Sequence, residues 1–445
     1  MRPKPTNIPL EEHLKPILVN IIDLSHPLCK LSQIINWEKL EEEFGKLYSE
    51  KGRPGKPIRL MIGLQYLKYT YNLSDEEVVY RWLENPYWQY FTGETVFQTE
   101  LPIDPTSMTR FRKRLKKDNL LKLLEITIET GFKSGYLKSS DVKRVSVDTT
   151  VQEKNISYPT DIKLYYVMMK YLVKFAKKNG IELKQTYLRV TKRGIRTHSG
   201  LVHSKKYSKA NKLTSKAKTN MGRLYRDLER KLPEVLRGSE EFKQLTFYFK
   251  NLESRNKHSK DKLYSLYHPE VECIGKGKTH KKYEFGNKVG IVNSLTRNFV
   301  LGVTSFKKNV HDSKTLAKSL DDASNVIGDN EIKEALVDLG FRGHNYKGNI
   351  KITVVPRNLK KFSHYFRRIL KKRASIEALI SHIKRNSRMD RNYLKGHEGN
   401  EANAILSGCG HNLRMLLAFL LFFLKNLWQM MTNSIQRTEL LGCST

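Results

Sequence analysis

The sequence predicts an α/β protein: a mixed sheet with helices on both faces, interrupted by a basic, mainly helical insertion and preceded by an all-helical N-terminal region. Three observations predict it. Up to about Leu137 the apolar residues recur at helical spacing; from Arg144 the pattern changes to period two in RVSVDTTVQ; and residues 154–281, basic and helical in pattern, separate that strand from the next ones.

In the first region GRPGKPIR (Gly52 to Arg59) reads as a rigid basic turn, followed by a helix on which Leu60, Leu64 and Leu67 share a face. Ser74 with Glu77 is a capping box opening the next helix, which stops before Asn85 and Pro86. A further start follows at IDPTSMTRFRKRLKKDNL, where Asp104 or Thr106 is placed to cap and Arg110, Arg112, Lys113 and Arg114 supply positive charge. Two short helices joined by a turn, the second basic, suit a helix-turn-helix-like DNA reader; a solvated bundle that mediates dimer contacts fits the same pattern.

After RVSVDTTVQ, KYEFGNKVGIV (Lys282 to Val292) and NFVLGVTSF (Asn298 to Phe306) flank NSLTR as a hairpin, with Gly286, Gly290 and Gly302 relieving crowding. A helix in DSKTLAKSLDDAS, the strands IKEALVDLG and IKITVVP, a basic helix around Glu377 and an apolar helix from His411 complete the order. This order is that of a ribonuclease-H-like sheet. The expected divisions are 1–137, a helical DNA-binding or oligomerisation domain; 138–153 with 282–428, the sheet domain; 154–281, the insertion; and 429–445, a tail. Inside the insertion KLYYVMMKYLVKFAKKNG and TNMGRLYRDLERKLPEVL are amphipathic helices. Between them the stretch from Ile181 to Asn220 carries eleven Lys or Arg against one acidic residue. That suits a surface tracking a nucleic-acid backbone, or, for SKKYSKANKLTSKAK, a solvated connector.

Charge narrows the partner. With 81 Lys and Arg against 45 Asp and Glu the net charge is +36, a self-repelling excess that a polyanion would relieve. Nucleic acid is the expected partner. An acidic membrane is disfavoured because the longest apolar run, Met415 to Leu424, falls far short of the roughly 20 residues of a span and reads as a buried helix. The opening MRPKPTNIPLEEH has no secretory pattern, so a cytoplasmic, nucleoid-associated protein is expected. Cys29, Cys273, Cys409 and Cys443 form no CxxC pair, which argues against disulfides and structural zinc; Cys409 and His411 read as a helix-entry loop.

The candidate chemistry lies in three acids. Asp148 sits inside a strand, Asp338 ends another, and Glu377 lies on a basic helix. Each alone reads as a turn, cap or surface ion-pair residue. Together they are hard oxygen donors that a compact sheet can aim at a pair of divalent ions. Residues four before and seven after Glu377 share its helical face, so Arg373 and Lys384 can flank the acid with cations for phosphates. Asp312 is the rival ligand, or, with His311, a cap for the helix starting at Ser313. Asp141 and Asp161 read as cap or surface residues, and Arg342 and His344 as DNA contacts or loop structure.

These motifs resemble those of the DDE transposases of bacterial insertion sequences, in the insertion-sequence-five group. VSVDTT carries Asp148 in the place of the first catalytic aspartate, NVHDSKTL carries His311 and Asp312, and VDLGFRGH carries Asp338 as the second aspartate. RILKKRASIEALISHIK matches the pattern Tyr-x2-Arg-x3-Glu-x6-Lys through Arg373, Glu377 and Lys384, with Leu370 where the pattern has Tyr. The resemblance implies a ribonuclease-H-like catalytic domain that uses two Mg²⁺ ions per active site, or Mn²⁺. Asp148 would bridge both ions, and Asp338 and Glu377 would each complete one coordination sphere. It implies binding to double-stranded DNA, namely the element's inverted repeats and its target, with a homodimer in the synaptic complex, and cleavage followed by strand transfer. A non-catalytic DNA-binding regulator of the same ancestry and a hydrolytic nuclease without strand transfer are the alternatives.

Overall fold

The computed structural model describes residues 15–442 except 50, 52, 53, 257, 260, 276–280, 357, 359 and 361, and from 423 onward it describes the backbone alone. The opening MRPKPTNIPLEEH up to residue 14, the start of the basic turn at Gly52 and Arg53, and Cys443 lie outside the described residues. The chain forms two compact units, residues 1–153 with 287–445 and residues 154–286.

The first unit is built on strands β1 (Arg144–Lys154), β3 (Tyr283–Ser294), β4 (Val300–Ser305), β5 (Glu334–Val337), β6 (Lys351–Val354) and the short β7 (Arg391–Asn392); β2 (Glu272–Gly275) belongs to the second unit. Across the sheet β4 neighbours β3, then β1, β5 and β6, while β7 pairs with β1. β3 and β4 form the expected antiparallel hairpin, and β1, β5 and β6 run parallel. Val145, Ser146 and Val147 of β1 are all buried, as a central strand covered on both faces requires, and Ser146 satisfies its hydroxyl by donating to Asn293 Oδ1 at 2.7 Å. The helix Leu316–Val326 lies directly on the hairpin: a Cβ on Gly302 would fall 2.6 Å from the Cβ of Ala323.

The helices before β1 share this core rather than closing one of their own. Tyr66, Leu67, Leu123 and Leu124 join Val300, Val303, Leu406 and Leu413 in a single apolar cluster. The Ser74–Glu77 capping box is present, and Asp104 accepts the Thr106 backbone N–H at 2.8 Å. The helix Asp75–Glu84 and the basic helix Thr106–Arg112 are not joined by a tight turn, however, since another helix, Pro86–Phe91, stands between them. Asn85 caps that third helix with Pro86 at its first position, a start signal that a reading of Asn-Pro only as a stop overlooks.

The last helix runs Gly396–Gly442, so SGCGHNLR is helix interior and not an entry loop, and no break falls at residue 428. Its small residues are packing contacts. A Cβ on Gly410 would lie 2.5 Å from the Tyr69 backbone and one on Gly408 2.9 Å from Val303, which lets the helix press between Ile58–Thr70 and β4. The run beginning at Met415 is only half covered: Leu416 is buried, whereas Leu421 and Phe422 are 46% and 64% exposed. Gly396–Phe422 is long and apolar enough to cross a membrane by length and composition, but it carries buried Asn403, His411 and Asn412, all hydrogen-bonded into the core.

In the second unit the helices Asp161–Lys178, Leu188–His203, Tyr207–Lys231 and Glu240–Glu253 enclose Met168, Leu172, Met221, Leu224 and Leu252. The stretch SKKYSKANKLTSKAK is not a connector: from Tyr207 it is helix, because Ala210, Ala217, Met221 and Leu224 continue one buried stripe through it. β2, absent from the expected order, pairs antiparallel with the opening residues of β3, Tyr283 to Gly286.

Candidate active site

Strand register brings the two aspartates together. Arg144 pairs with Glu334 and Ser146 with Leu336, so the same offset carried two residues further sets Asp148 beside Asp338, where β5 has just ended. Asp338 then caps a 3₁₀ turn, Leu339–Phe341, its Oδ1 accepting the Gly340 N–H at 2.9 Å. Glu377 arrives from the first turn of the helix Ser375–Asn386.

One guanidinium meets all three acids. Arg373 Nη2 lies 3.9 Å from Asp148 Oδ2 and 3.4 Å from Glu377 Oε1, and its Nη1 lies 3.9 Å from Asp338 Oδ2. The Arg373 side chain is 11% exposed, whereas that of Glu377 is 72% exposed, so the cation is held at the floor and one acid at the rim. Arg373 and Glu377 do not share one continuous helix. The helix His364–Lys372 ends before Arg373, and the junction tightens into three-residue hydrogen bonds, Ile376 N–H to Arg373 O and Glu377 N–H to Ala374 O, both 3.1 Å. Lys384 stands two turns further along the helix of Glu377. Leu370 is buried with Leu295, Leu336 and Ile369, so the position of the motif's Tyr serves the core here.

Asp312 borders the same site. Its Oδ1 accepts Thr149 Oγ1–H at 2.7 Å and Lys288 Nζ–H at 3.0 Å, while its Oδ2 and Asp338 Oδ1 lie 3.3 Å and 3.1 Å from where a Gly340 Cβ would stand. The capping is done by His311, whose Nδ1 accepts the Ser313 N–H at 3.3 Å and opens a 3₁₀ turn, Asp312–Lys314, ahead of the helix. Thr149 and Lys288 were not candidates in the sequence. A lysine within the apolar run KVGIV was the available signal, since such a residue, 9% exposed here, needs an acid or carbonyl to receive it.

The remaining candidates divide. Asp141 accepts from Lys138 N–H, Thr296 and Arg297, and Asp161 pairs with Arg255 at 2.9 Å, both structural roles. Arg342 is exposed just beyond the Asp338 turn, and the enclosed Nδ1 of His344 has no hydrogen-bond partner among the described residues. Arg110 is exposed. Arg112, expected on a DNA-facing surface, is turned inward: it is 6% exposed and makes a two-pronged pair with Asp75, at 2.7 Å and 2.5 Å. Burial alone would raise the Asp75 carboxyl, but Arg112 and Lys68 hold it down at about 2.

The donor set of Asp148, Asp338 and Glu377 is all carboxylate oxygen, which suits Mg²⁺ or Mn²⁺. As the side chains stand, no group of three or more His, Cys, Asp or Glu among the described residues is gathered tightly enough to hold a metal ion; Arg373 is the cation the three acids share.

Residues 17–114 match the family described as Transposase domain (DUF772), and residues 264–413 match the Transposase DDE domain. An uncharacterised protein of Rhizobium meliloti, ORF8 in the nfe locus, is 42% identical over 207 residues, which is 46% of this chain and 100% of that protein. The chain belongs to the DDE transposase family. In this transposase Asp338, Glu377, Arg373 and Lys384 lie within the DDE match, and Asp148 precedes it. Transposases of this type use divalent metal ions. No solved structure matches the chain.

Proposed function

We propose that this transposase belongs to the insertion-sequence-five group, binds the terminal inverted repeats of its element, cuts them and joins them to target DNA. The observation that carries this reading is the meeting of Asp148, Asp338 and Glu377, from three separate parts of the chain, around one guanidinium. The strand order β4, β3, β1, β5, β6, with an antiparallel hairpin beside three parallel strands, supports a ribonuclease-H-like catalytic domain with residues 154–281 inserted after its first strand.

Asp148, Asp338 and Glu377 would hold two Mg²⁺ ions, which when bound stabilise the attacking and leaving oxygens of a phosphodiester exchange. Around them the chain supplies Arg373 and Lys384 to grip phosphates flanking the scissile bond, and Asp312 to fix β1 through Thr149. Exposed Arg110 and Arg342 and the basic helices of the insertion add backbone contacts to double-stranded DNA, in a homodimeric complex that pairs two ends. The sequence reading of a cytoplasmic, nucleoid-associated protein is consistent with such a substrate.

The test is cleavage and joining of DNA that carries the element's inverted repeats, with Mg²⁺, by the parent and by Asp148→Asn, Asp338→Asn and Glu377→Gln. Cutting and joining by the parent, and neither by the variants while they still bind DNA, is the expected result. A parent that binds the repeats without cutting would make the protein a regulator, and cutting without joined product would make it a nuclease.

A further inference from the structure

Three carboxylates drawn to one place repel each other, and the structure answers that repulsion with a residue of its own. Arg373 reaches Asp148, Asp338 and Glu377 at 3.9, 3.9 and 3.4 Å with a guanidinium that is nearly enclosed. Those distances are longer than the roughly 2.7–2.9 Å of close charge-assisted hydrogen bonds, so the guanidinium compensates charge for three acids without being locked to any one of them. Its anchorage has the same character. Arg373 sits where one helix ends and another begins, at a junction of three-residue backbone hydrogen bonds, rather than in a continuous helix that would fix its direction.

We propose that Arg373 is a positioning residue that holds the three acids converged and competes with divalent metal for them, and that metal uptake releases its guanidinium toward DNA phosphate. The proposal rests on the reading of these acids as metal ligands. A cation of charge two placed among the same carboxylates meets the guanidinium at short range, so one of the two positive groups must turn outward. The exposed side of the cluster is the rim, where Glu377 stands 72% exposed and where a phosphate would approach. The same residue thus neutralises the acids before the metal arrives and serves the substrate afterwards. Arg fits both partners because its fork matches carboxylate and phosphate alike.

The competition predicts an effect opposite to that of a merely supporting residue. Mn²⁺ binding to the full chain, followed without DNA by the loss of the free-ion spin-resonance signal, is measured for the parent, Arg373→Gln, Arg373→Lys, Lys371→Gln and Asp148→Asn. Arg373→Gln is expected to bind Mn²⁺ about tenfold more tightly than the parent, since a unit charge about 4 Å away is removed. Arg373→Lys, a point charge that cannot fork to three carboxylates, tightens binding by a smaller factor, which keeps the test decisive if the Gln variant does not fold. Lys371→Gln removes a like charge from the exposed surface and leaves binding at the parent value. Unchanged or weaker binding in both Arg373 variants, or equal tightening in Lys371→Gln, overturns the proposal. Asp148→Asn separates the two readings: if it binds Mn²⁺ as the parent does, the three-acid metal site itself is wrong; if it loses binding while the Arg373 variants fail to tighten, only the competition is wrong.

Discussion

Gly340 sits at the closest approach of two acids. A methyl group there would stand 3.1 Å from Asp338 Oδ1 and 3.3 Å from Asp312 Oδ2, inside ordinary contact for both. Gly340→Ala is therefore expected to move Asp338 by a few tenths of an ångström and to slow DNA cleavage far more than it lowers stability, where small overpacking costs about 1–3 kcal/mol. Cleavage kinetics beside a urea melt would check it, and unchanged kinetics would remove Asp338 from the reacting geometry. Two neighbouring arginines make a second contrast at this scale. Arg112→Ala strips the half-buried Asp75 of its two-pronged partner, leaves it only Lys68, and should cost about 2–3 kcal/mol in urea denaturation, toward the lower end of what breaking a buried ion pair costs. Arg110→Ala, on the exposed face of the same short helix, should change stability by less than about 0.5 kcal/mol and instead weaken DNA binding. Periodicity could not tell these two apart, because the identity of the buried one depends on Asp75, 37 residues earlier in the chain.

Local pattern was most legible where one strand or helix turn carries its own signal. β1, the β3–β4 hairpin, β5, β6 and the Ser74–Glu77 box all stood in the sequence as alternation, glycine placement or capping spacing. The three acids were legible through their motifs, whereas Thr149 and Lys288 were not, since their meaning lies in Asp312, far away in the chain. The Gly396–Gly442 helix was missed at its start because Gly, Asn and Ser in GHEGNEANAILSGCGHN imitate a loop; tertiary packing overrides that propensity by using the small residues for close approach. His411 inside this helix makes a prediction at the same scale. Burial pushes its imidazole down to about 4, and its Nε2 lies 3.0 Å from the Asn298 carbonyl. A base whose folded pKa is depressed contributes stability above its unfolded value near 6.5, and that contribution is lost as pH falls toward 4, up to about 3 kcal/mol. His411→Gln keeps an amide donor and removes the titration, so its stability should fall less steeply than the parent's between about pH 6.5 and 4. Parallel slopes in denaturant melts would contradict a neutral, buried His411.

For the whole molecule the decisive quantity is the net charge of +36 and where it is displayed. From Leu188 to Lys218 the second unit carries ten Lys or Arg and no acid, and all ten except the partly covered Lys218 are exposed. Folding this stretch into helices spaces the charges instead of leaving them on a loose connector: Lys209, Lys212 and Lys216 recur at three- and four-residue steps along one side of Tyr207–Lys231, opposite the stripe of Ala210, Ala217 and Leu224. Charges displayed in this way should contact phosphates without reading bases. Replacing all three lysines by Gln is then expected to leave stability nearly unchanged, because none of them supports the core. It should weaken binding to element ends and to unrelated duplex DNA by similar factors. The logarithm of affinity against the logarithm of salt concentration should also become shallower by about 0.9 for each phosphate contact removed, about 2.7 for three. Binding isotherms at several salt concentrations give both the slope and the ratio between the two DNAs. An unchanged slope would mean that these helices of the second unit do not face DNA, and a loss confined to the element ends would mean that they read sequence.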